Sequence, residues 1–165
     1  MIRILFVCMG NICRSPSAQG VFERLVADAG LSHAIVADSA GTTDYHIGDG
    51  PDARAVRAAQ KRGVDIAHQR ARKAQPEDFL DFDLIVAMDR GNLRNLSHMA
   101  GTRGRDRLRL MLDFAPHLGE DVPDPYYGGA EDFEHVLDLL EESGKALLMD
   151  LIARHELSPA QSSSG

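Results

Sequence analysis

The chain has 165 residues, of which 44% are hydrophobic and 26% charged, with two cysteines and no tryptophan. This composition indicates one globular domain with its own core, and no apolar run is long enough to span a membrane. The opening MIRILFVC is too short for a signal peptide, so a cytoplasmic location is expected. Residues 111–165 hold 12 acidic and two basic residues, and no basic stripe carries interleaved aromatics. This acidic balance argues against nucleic-acid binding.

Apolar periodicity predicts alternating strands and helices along the chain. Residues 2–7 are typical of a buried strand, and apolar residues then recur at helical spacing from Ala18 to Ala29, before Gly30. The further predicted elements are a strand at 34–38, a helix at 52–62, a strand at 84–88, a helix capped by Asp89 that runs to 99, a weaker strand at 108–112 and a helix at 131–155. One domain is predicted over residues 1–157, followed by a disordered tail, SPAQSSSG, at 158–165.

Repeated strand and helix units predict an α/β fold with a doubly wound parallel sheet and helices on both faces. A flavodoxin-like sheet of four strands in the order 2-1-3-4 fits these elements. In such sheets, ligands bind outside the carboxyl ends of the strands, beside the point where the strand order reverses. Cys8 ends the first strand at that point.

The stretch VCMGNICRSP places Cys8 and Arg14 at the two ends of a six-residue connection between strand and helix. Gly10 and Asn11 tolerate left-handed backbone angles, so successive N–H groups can point into one concavity that binds an anion. The helix N-terminus and the Arg14 guanidinium favour a phosphate dianion there, and they also favour the thiolate of Cys8. Ser15 can donate a hydrogen bond to that sulfur. Alternatively, Ser15 is a simple N-cap and Arg14 a surface charge, since C-x5-R by itself is a modest signal.

The sequence VCMGNICRSPSAQGVF resembles the signature of the low-molecular-weight protein tyrosine phosphatases. The likeness continues through DSAGT (38–42), IAHQRAR (66–72), MD (88–89) and DPYYGG (124–129). The resemblance implies a phosphocysteine intermediate at Cys8, phosphoryl binding by Arg14, and no metal or organic cofactor. It also implies that Ser15, Asn11 and Ser39 hold the loop and the thiolate, with His68 supporting Asn11. Substrate contacts are expected from Met9, Gly10, Asn11, Ile12, Cys13, Ser15, Tyr45, Tyr126 and Tyr127.

Asp124 is the candidate general acid, because the leaving oxygen needs a proton after the thiolate attacks phosphorus. Pro125 disfavours helix at Asp124, which indicates a loop position. The same carboxylate could then activate the water that cleaves the thiophosphate. The alternative is an ordinary acidic turn residue. The resemblance places Tyr45, Tyr126 and Tyr127 at the pocket mouth, where aromatic walls suit a phenyl phosphate; the alternative for the tyrosines is core packing.

The second cysteine, Cys13, lies in the same short loop as Cys8. We predict that it forms a reversible disulfide with Cys8 under oxidants and so prevents irreversible oxidation, the alternative being a plain buried thiol. The expected partners are a protein carrying phosphotyrosine, by analogy a tyrosine kinase, with phosphate as product. A monomer or weak dimer is expected.

Four alternative functions are less consistent with the residues. A thioredoxin-linked arsenate reductase needs further cysteines downstream, and none follows Cys13. Phosphoarginine phosphatases tend to carry threonine where this chain has Ile12. A phosphopeptide-binding module would not need both Cys8 and Asp124. Metal-dependent hydrolysis is not expected, since the seven histidines show no HxxxH spacing.

Overall fold

The computed structural model describes residues 1–160 of the chain. Four parallel strands form one sheet in the order β2-β1-β3-β4, which confirms the predicted topology. The strands are β1 (Ile2–Cys8), β2 (Ile35–Gly41), β3 (Leu84–Ala87) and β4 (Leu108–Leu110). The helices are α1 (Arg14–Asp28), α2 (Ala53–Lys61), α3 (Asp78–Asp81), α4 (Arg90–Ala100) and α5 (Ala130–His155). Three 3₁₀ turns at Arg105–Arg107, Met111–Phe114 and Pro116–Leu118 complete the elements.

Strand β1 is central, and its side chains alternate between two apolar layers. Ile4 and Phe6 face a layer built with α1 and α5, in which Phe22 packs edge-on against Phe6 at a centroid distance of 5.5 Å. Leu5 and Val7 face the opposite layer with α3 and α4. Helix α2 packs outside α1 and α5 through a smaller third cluster. Helices therefore cover both faces of the sheet, as predicted.

Helix ends follow the local chemistry of the sequence. Asp52 and Asp89 accept hydrogen bonds from the backbone N–H groups of Arg54 and Asn92, at 2.8 and 2.7 Å, and so cap α2 and α4. Helix α5 ends where Glu156 adopts a left-handed conformation with φ of 48°. None of the helices in residues 1–160 is both long and apolar enough to cross a lipid bilayer.

The chain after α5 differs from the prediction of a tail that is disordered from residue 158. Pro159 lies against Gly30, and the N–H of Ala160 donates to the Gly30 carbonyl at 2.9 Å. Pro159 and Ala160 are exposed but lie beside the end of α1, because Gly30 has no side chain and leaves room for Pro159. Residues 161–165 of the predicted tail lie outside the described part of the chain.

Candidate active site

The carboxyl end of β1 carries the candidate nucleophile. Cys8 is 3% exposed, and the Met9–Cys13 loop turns tightly into α1 directly after it. Its Sγ lies 3.0 Å from the Ser15 Oγ and 3.3 Å from the Asn11 backbone N–H, which donates to it. The Asn11 side-chain amide donates to the Ser15 Oγ at 2.8 Å, and the serine hydroxyl has two acceptors within reach, the sulfur at 3.0 Å and the Ala40 carbonyl at 3.3 Å. The Asn11 N–H therefore donates to the sulfur and the Ser15 hydroxyl can donate to it as well, which favours a thiolate.

Asn11 holds the loop in shape from within. Its φ of 57° is left-handed, whereas Gly10, the other candidate for such a conformation, does not adopt one. Besides Ser15, the Asn11 amide donates to the Ser39 Oγ at 3.0 Å, and its carbonyl oxygen accepts from the Arg72 backbone N–H at 3.0 Å. Both N–H groups of this amide and its oxygen therefore fix the loop, against Ser15 of α1, Ser39 of β2 and the backbone at Arg72.

The prediction that His68 supports Asn11 is wrong. The His68 side chain is exposed, and the neighbouring Gln69 is the buried residue of this segment. Gln69 accepts from the Ser39 hydroxyl at 3.3 Å and donates to the Pro16 carbonyl at 3.0 Å. Because residues 64–74 form no helix or strand, the sequence has no periodicity that would tell which of the two side chains faces inward.

The absence of side chains at two glycines lets the loop pack closely against its neighbours. A Cβ on Gly41, at the end of β2, would lie 2.7 Å from the Met9 carbonyl oxygen, which real structures do not show. A Cβ on Gly10 would lie 3.2 Å from the His46 ring. The loop is therefore packed tightly against β2 on one side and against the segment around His46 on the other.

Arg14 is the first residue of α1, and its buried guanidinium is held in place through one of its nitrogens. Its Nη1 donates to the Asp89 carboxylate at 2.7 Å and to the Val122 carbonyl at 2.9 Å, while Nη2 lies 3.9 Å from Asp124. Burial opposes the charge, but the charges of Cys8, Asp89 and Asp124 outweigh it and raise the pKa of Arg14. The cation is thus held in a fixed orientation above the loop.

Sequence reasoning assigned Asp89 only as a helix cap and missed its second role as the anchor of Arg14. One carboxylate oxygen of Asp89 caps α4, and the other holds Arg14. The signal was present in the MD dipeptide after β3, because the carboxyl ends of β1 and β3 are adjacent in the sheet.

Asp124 lies on the loop between the last 3₁₀ turn and α5. That loop is fastened to the sheet by Val122, whose N–H donates to the Met88 carbonyl at 2.9 Å. The Asp124 carboxylate accepts from the Tyr126 backbone N–H at 3.1 Å, and its side chain is 41% exposed. The acid therefore stands at the edge of the cavity, beside Arg14 and open to a bound substrate.

A cavity of about 260 Å³ opens above the loop and brings most of the predicted site together. It is lined by Cys8, Met9, Gly10, Ile12, Cys13, Arg14, Tyr45, His46, Asp124, Tyr126 and Tyr127. Asn11 and Ser15 do not line it but lie buried beneath the loop. The rings of Tyr126 and Tyr127 meet edge to face at a centroid distance of 4.9 Å. Tyr45, Tyr126 and Tyr127 are all exposed at the mouth, so the alternative that the tyrosines pack in the core is wrong. His46 was not predicted from the sequence.

The two sulfurs of the loop lie in different environments. Burial, with the nearby charges of Asp52 and Cys8, raises the pKa of Cys13 from 9.0 to about 12. Cys13 is therefore a neutral thiol at physiological pH. Both cysteines are free thiols.

Comparison with known proteins identifies the family of this site. The model of the low molecular weight phosphotyrosine protein phosphatases matches residues 3–157. The chain belongs to this phosphatase family. A member from Streptomyces coelicolor is 45% identical over 150 residues, covering 88% of this chain and 91% of its own. Among solved structures, a protein tyrosine phosphatase from Entamoeba histolytica superposes with a TM-score of 0.90 at 35% identity, over 95% of this chain and all of that one. The structure of YfkJ from Bacillus subtilis superposes with a TM-score of 0.88 at 39% identity, over 95% of this chain and 98% of that one.

This member of the low molecular weight phosphatase family is a hydrolase, and its cavity brings together the Cys8 thiol, the Arg14 guanidinium and the Asp124 carboxyl group. A thiolate stabilised by hydrogen bonds can attack phosphorus, and a fixed guanidinium can bind two phosphoryl oxygens at once. A half-exposed carboxyl group beside them can move a proton to or from the oxygen that leaves or attacks.

Proposed function

We propose that this phosphatase hydrolyses phosphotyrosine in proteins through a phosphocysteine at Cys8, with Arg14 binding the phosphoryl group and Asp124 transferring protons. The observation that carries the proposal is the convergence of these three side chains on one cavity walled by tyrosines. Cys8 and Arg14 lie near the start of the chain and Asp124 in its last third, and the fold brings all three to the carboxyl edge of the sheet.

In the first step, the Cys8 thiolate attacks phosphorus, an S–P bond forms, and the bond from phosphorus to the phenolic oxygen breaks. Asp124 gives its proton to that oxygen, and tyrosine leaves. The negative charge on the non-bridging oxygens is met by loop N–H groups and by Arg14, which Asp89 and Val122 already hold in place. Because the Arg14 side chain needs no rearrangement, its electrostatic contribution is available as the transition state forms.

In the second step, Asp124, now ionised, accepts a proton from water as that water attacks phosphorus. The S–P bond breaks, inorganic phosphate leaves, and the Cys8 thiolate is regenerated. The hydrogen bonds from Ser15 and the Asn11 N–H support this step as well, since they stabilise the sulfur as a leaving group.

The cavity walls support aromatic phosphoesters as the substrate class. Tyr45, Tyr126 and Tyr127 lie exposed at the mouth of the cavity, and Ile12 adds an apolar side chain to its lining. A phenyl ring fills the space between a sulfur at the base and aromatic walls at the rim, and it reaches the sulfur from the protein surface. Phosphoserine is shorter and leaves those walls without contact, so we expect it to be a poor substrate.

The leaving-group dependence of Asp124→Ala tests the proposal. The quantity to compare is kcat/KM, which reports only the steps up to formation of the phosphocysteine. We expect kcat/KM for phenyl phosphate to fall about 100-fold or more, and that for 4-nitrophenyl phosphate, whose leaving group needs no proton, to fall far less. Equal losses for the two substrates would contradict the acid role of Asp124.

A matched Cys8→Ser variant tests the nucleophile. It should lose turnover and the phosphoryl adduct that rapid quenching detects in the wild type, while still binding inorganic phosphate, because loop and Arg14 are retained. A phosphopeptide-binding module would show binding without turnover in the wild type too.

The cellular partner follows from the same chemistry. We propose a cytoplasmic protein carrying phosphotyrosine, with an autophosphorylated tyrosine kinase as a candidate by analogy only, and a monomeric or weakly dimeric enzyme. Because Cys8→Ser binds the substrate without turning it over, this variant can recover that protein from extracts of the source cell. Vanadate, which occupies the anion site, should release the captured protein. A protein that stays bound in the presence of vanadate would count against recognition at the active site.

A further inference from the structure

Arg54, at the first turn of α2, makes an unusual number of contacts that the proposed mechanism does not use. Its Nε and Nη2 bind the two carboxylate oxygens of Asp52 at 3.1 and 3.0 Å. Nη2 also donates to the Tyr126 carbonyl at 2.9 Å, and Nη1 reaches the Gly128 carbonyl at 3.4 Å. The guanidinium lies 5.5 Å from the ring centroid of Tyr126 and 4.7 Å from that of Phe133. One side chain thus joins the start of α2 to the loop after Asp124.

One end of this connection reaches the loop that carries the nucleophile. The backbone N–H of Asp52 donates to the Ile12 carbonyl at 2.8 Å, so Asp52 is fixed to the Cys8 loop by its own main chain. Hydrogen bonds from the Arg54 side chain are the main cause of the lowered pKa of Asp52, which therefore stays ionised. The Asp52 carboxylate therefore accepts both hydrogen bonds from the Arg54 guanidinium as a charged group.

The other end reaches the candidate acid. The Asp124 carboxylate is half-exposed, and among residues 1–160 its one hydrogen bond of good length comes from the Tyr126 backbone N–H at 3.1 Å. Arg14 approaches the same carboxylate only at 3.9 Å. The orientation of Asp124 therefore depends on where the Tyr126 backbone sits, and Arg54 holds the carbonyl of that same residue.

We propose that Arg54 is a positioning residue that sets the place of the Asp124 carboxyl group relative to Cys8. Through Asp52 it is connected to the Met9–Cys13 loop, and through the Tyr126 carbonyl to the loop that carries Asp124. It therefore fixes the distance between the two loops. This inference rests on the proposed role of Asp124 as general acid. The competing interpretation is that Arg54 only fastens α2 to α5 through Phe133 and has no influence on the chemistry.

Arg54→Leu and Arg54→Lys separate these interpretations. Leucine removes every polar contact, while lysine keeps the charge but cannot bind Asp52 and Tyr126 together in the same planar geometry. We expect kcat/KM for phenyl phosphate to fall about 10- to 100-fold in Arg54→Leu, because a small displacement of the acid is costly, with at most about a 3-fold loss for 4-nitrophenyl phosphate. Arg54→Lys should lie between this variant and the wild type.

The control is Arg62→Leu, because Arg62 caps the opposite end of α2 from Arg54. Arg62 ends α2 and pairs with Glu134, Asp138 and Glu141 of α5 at 2.6, 3.0 and 3.2 Å. It fastens α2 to α5 but does not touch the acid loop. We expect it to lower the thermal midpoint while the ratio of kcat/KM for the two substrates stays at the wild-type value.

The double variant Arg54→Leu/Asp124→Ala completes the test. If Arg54 acts through Asp124, its removal changes the substrate ratio in the wild type and leaves it unchanged in Asp124→Ala. A wild-type ratio in both Arg54→Lys and the folded Arg54→Leu would overturn the inference and leave the proposed function intact; if Arg54→Leu does not fold, Arg54→Lys alone decides. If Arg54→Leu changes the substrate ratio in Asp124→Ala as much as it does in the wild type, the inference is also overturned. If Asp124→Ala itself shows no leaving-group dependence, the acid role and this inference fail together.

Discussion

Replacing Asn11 measures how much its side chain stabilises the Met9–Cys13 loop and the folded protein. Asn11→Ala removes three side-chain hydrogen bonds, to Ser15, Ser39 and the Arg72 N–H. Each is worth about 1 kcal/mol, and an alanine at φ of 57° costs roughly 1 kcal/mol more. We therefore expect the free energy of unfolding to fall by about 4 kcal/mol. That is a large share of the roughly 5–15 kcal/mol of a typical domain, so the variant should fold but be much less stable.

Asn11→Gly is the matched variant, because glycine adopts the left-handed conformation without strain but also lacks the amide. We expect it to be about 1 kcal/mol more stable than Asn11→Ala, and still well below the wild type. Urea unfolding followed by far-ultraviolet circular dichroism measures all three proteins, since the chain has no tryptophan for fluorescence. Both variants should also lose kcat/KM on 4-nitrophenyl phosphate, because Ser15 and the Asn11 N–H no longer face the sulfur in a fixed geometry.

Two results would refute this account of the loop. A loss below about 1 kcal/mol for Asn11→Ala would mean that the three hydrogen bonds are replaced by water at no cost. An alanine variant as stable as the glycine variant would mean that the left-handed angle is not maintained once the amide is gone.

The Cys13→Ser variant checks two further expectations. Excess peroxide should oxidise Cys8 to a sulfenic acid, and attack of the Cys13 sulfur on that sulfur expels water and forms a disulfide, which dithiothreitol reduces. In Cys13→Ser the sulfenic acid is oxidised further to a sulfinic acid, which dithiothreitol does not reduce, so only the wild type should regain activity; equal recovery would remove the redox role. Because the pKa of Cys13 rises from 9.0 to about 12 on folding, its stabilising effect is complete below pH 9 and is lost as pH rises toward 12. At pH 10 the unfolding free energy of the wild type should be about 1.4 kcal/mol below its neutral value through this group alone; parallel pH dependence of unfolding in wild type and Cys13→Ser would contradict it.

Strongly periodic segments were predictable from the sequence. The helix at 131–155 and the cap Asp89 depend on apolar spacing and on short-range hydrogen bonds, which are local properties. The order of the four strands follows from the small number of topologies that right-handed crossovers leave for repeated strand and helix units. The weak strand at 108–112 was placed correctly but too long: β4 ends at Leu110, and the chain then turns through a 3₁₀ segment. Apolar residues continue through Leu112, so composition alone does not mark the end.

The contacts that could not be predicted join distant parts of the chain through irregular segments. Gln69 rather than His68 faces inward, Asp89 holds Arg14 as well as capping α4, and Arg54 bridges two loops. Each depends on how a loop is laid over the sheet, and a loop has no repeat from which the direction of a side chain follows. The resemblance to the phosphatase family indicated the candidate reactive residues and the supports Asn11, Ser15 and Ser39, but not Gln69, Asp89 or Arg54.

The fixed position of Arg14 has a consequence for regulation by small ions. Its guanidinium is oriented by Asp89 and Val122 without help from any ligand, so the entropic cost of arranging the anion site is met during folding. A tetrahedral oxyanion of the right size then finds a receptor that is already assembled, whether or not a tyrosine ring is attached to it. We therefore expect inorganic phosphate, the product of a phosphatase, to compete with the substrate, so that the rate falls as the phosphate concentration rises.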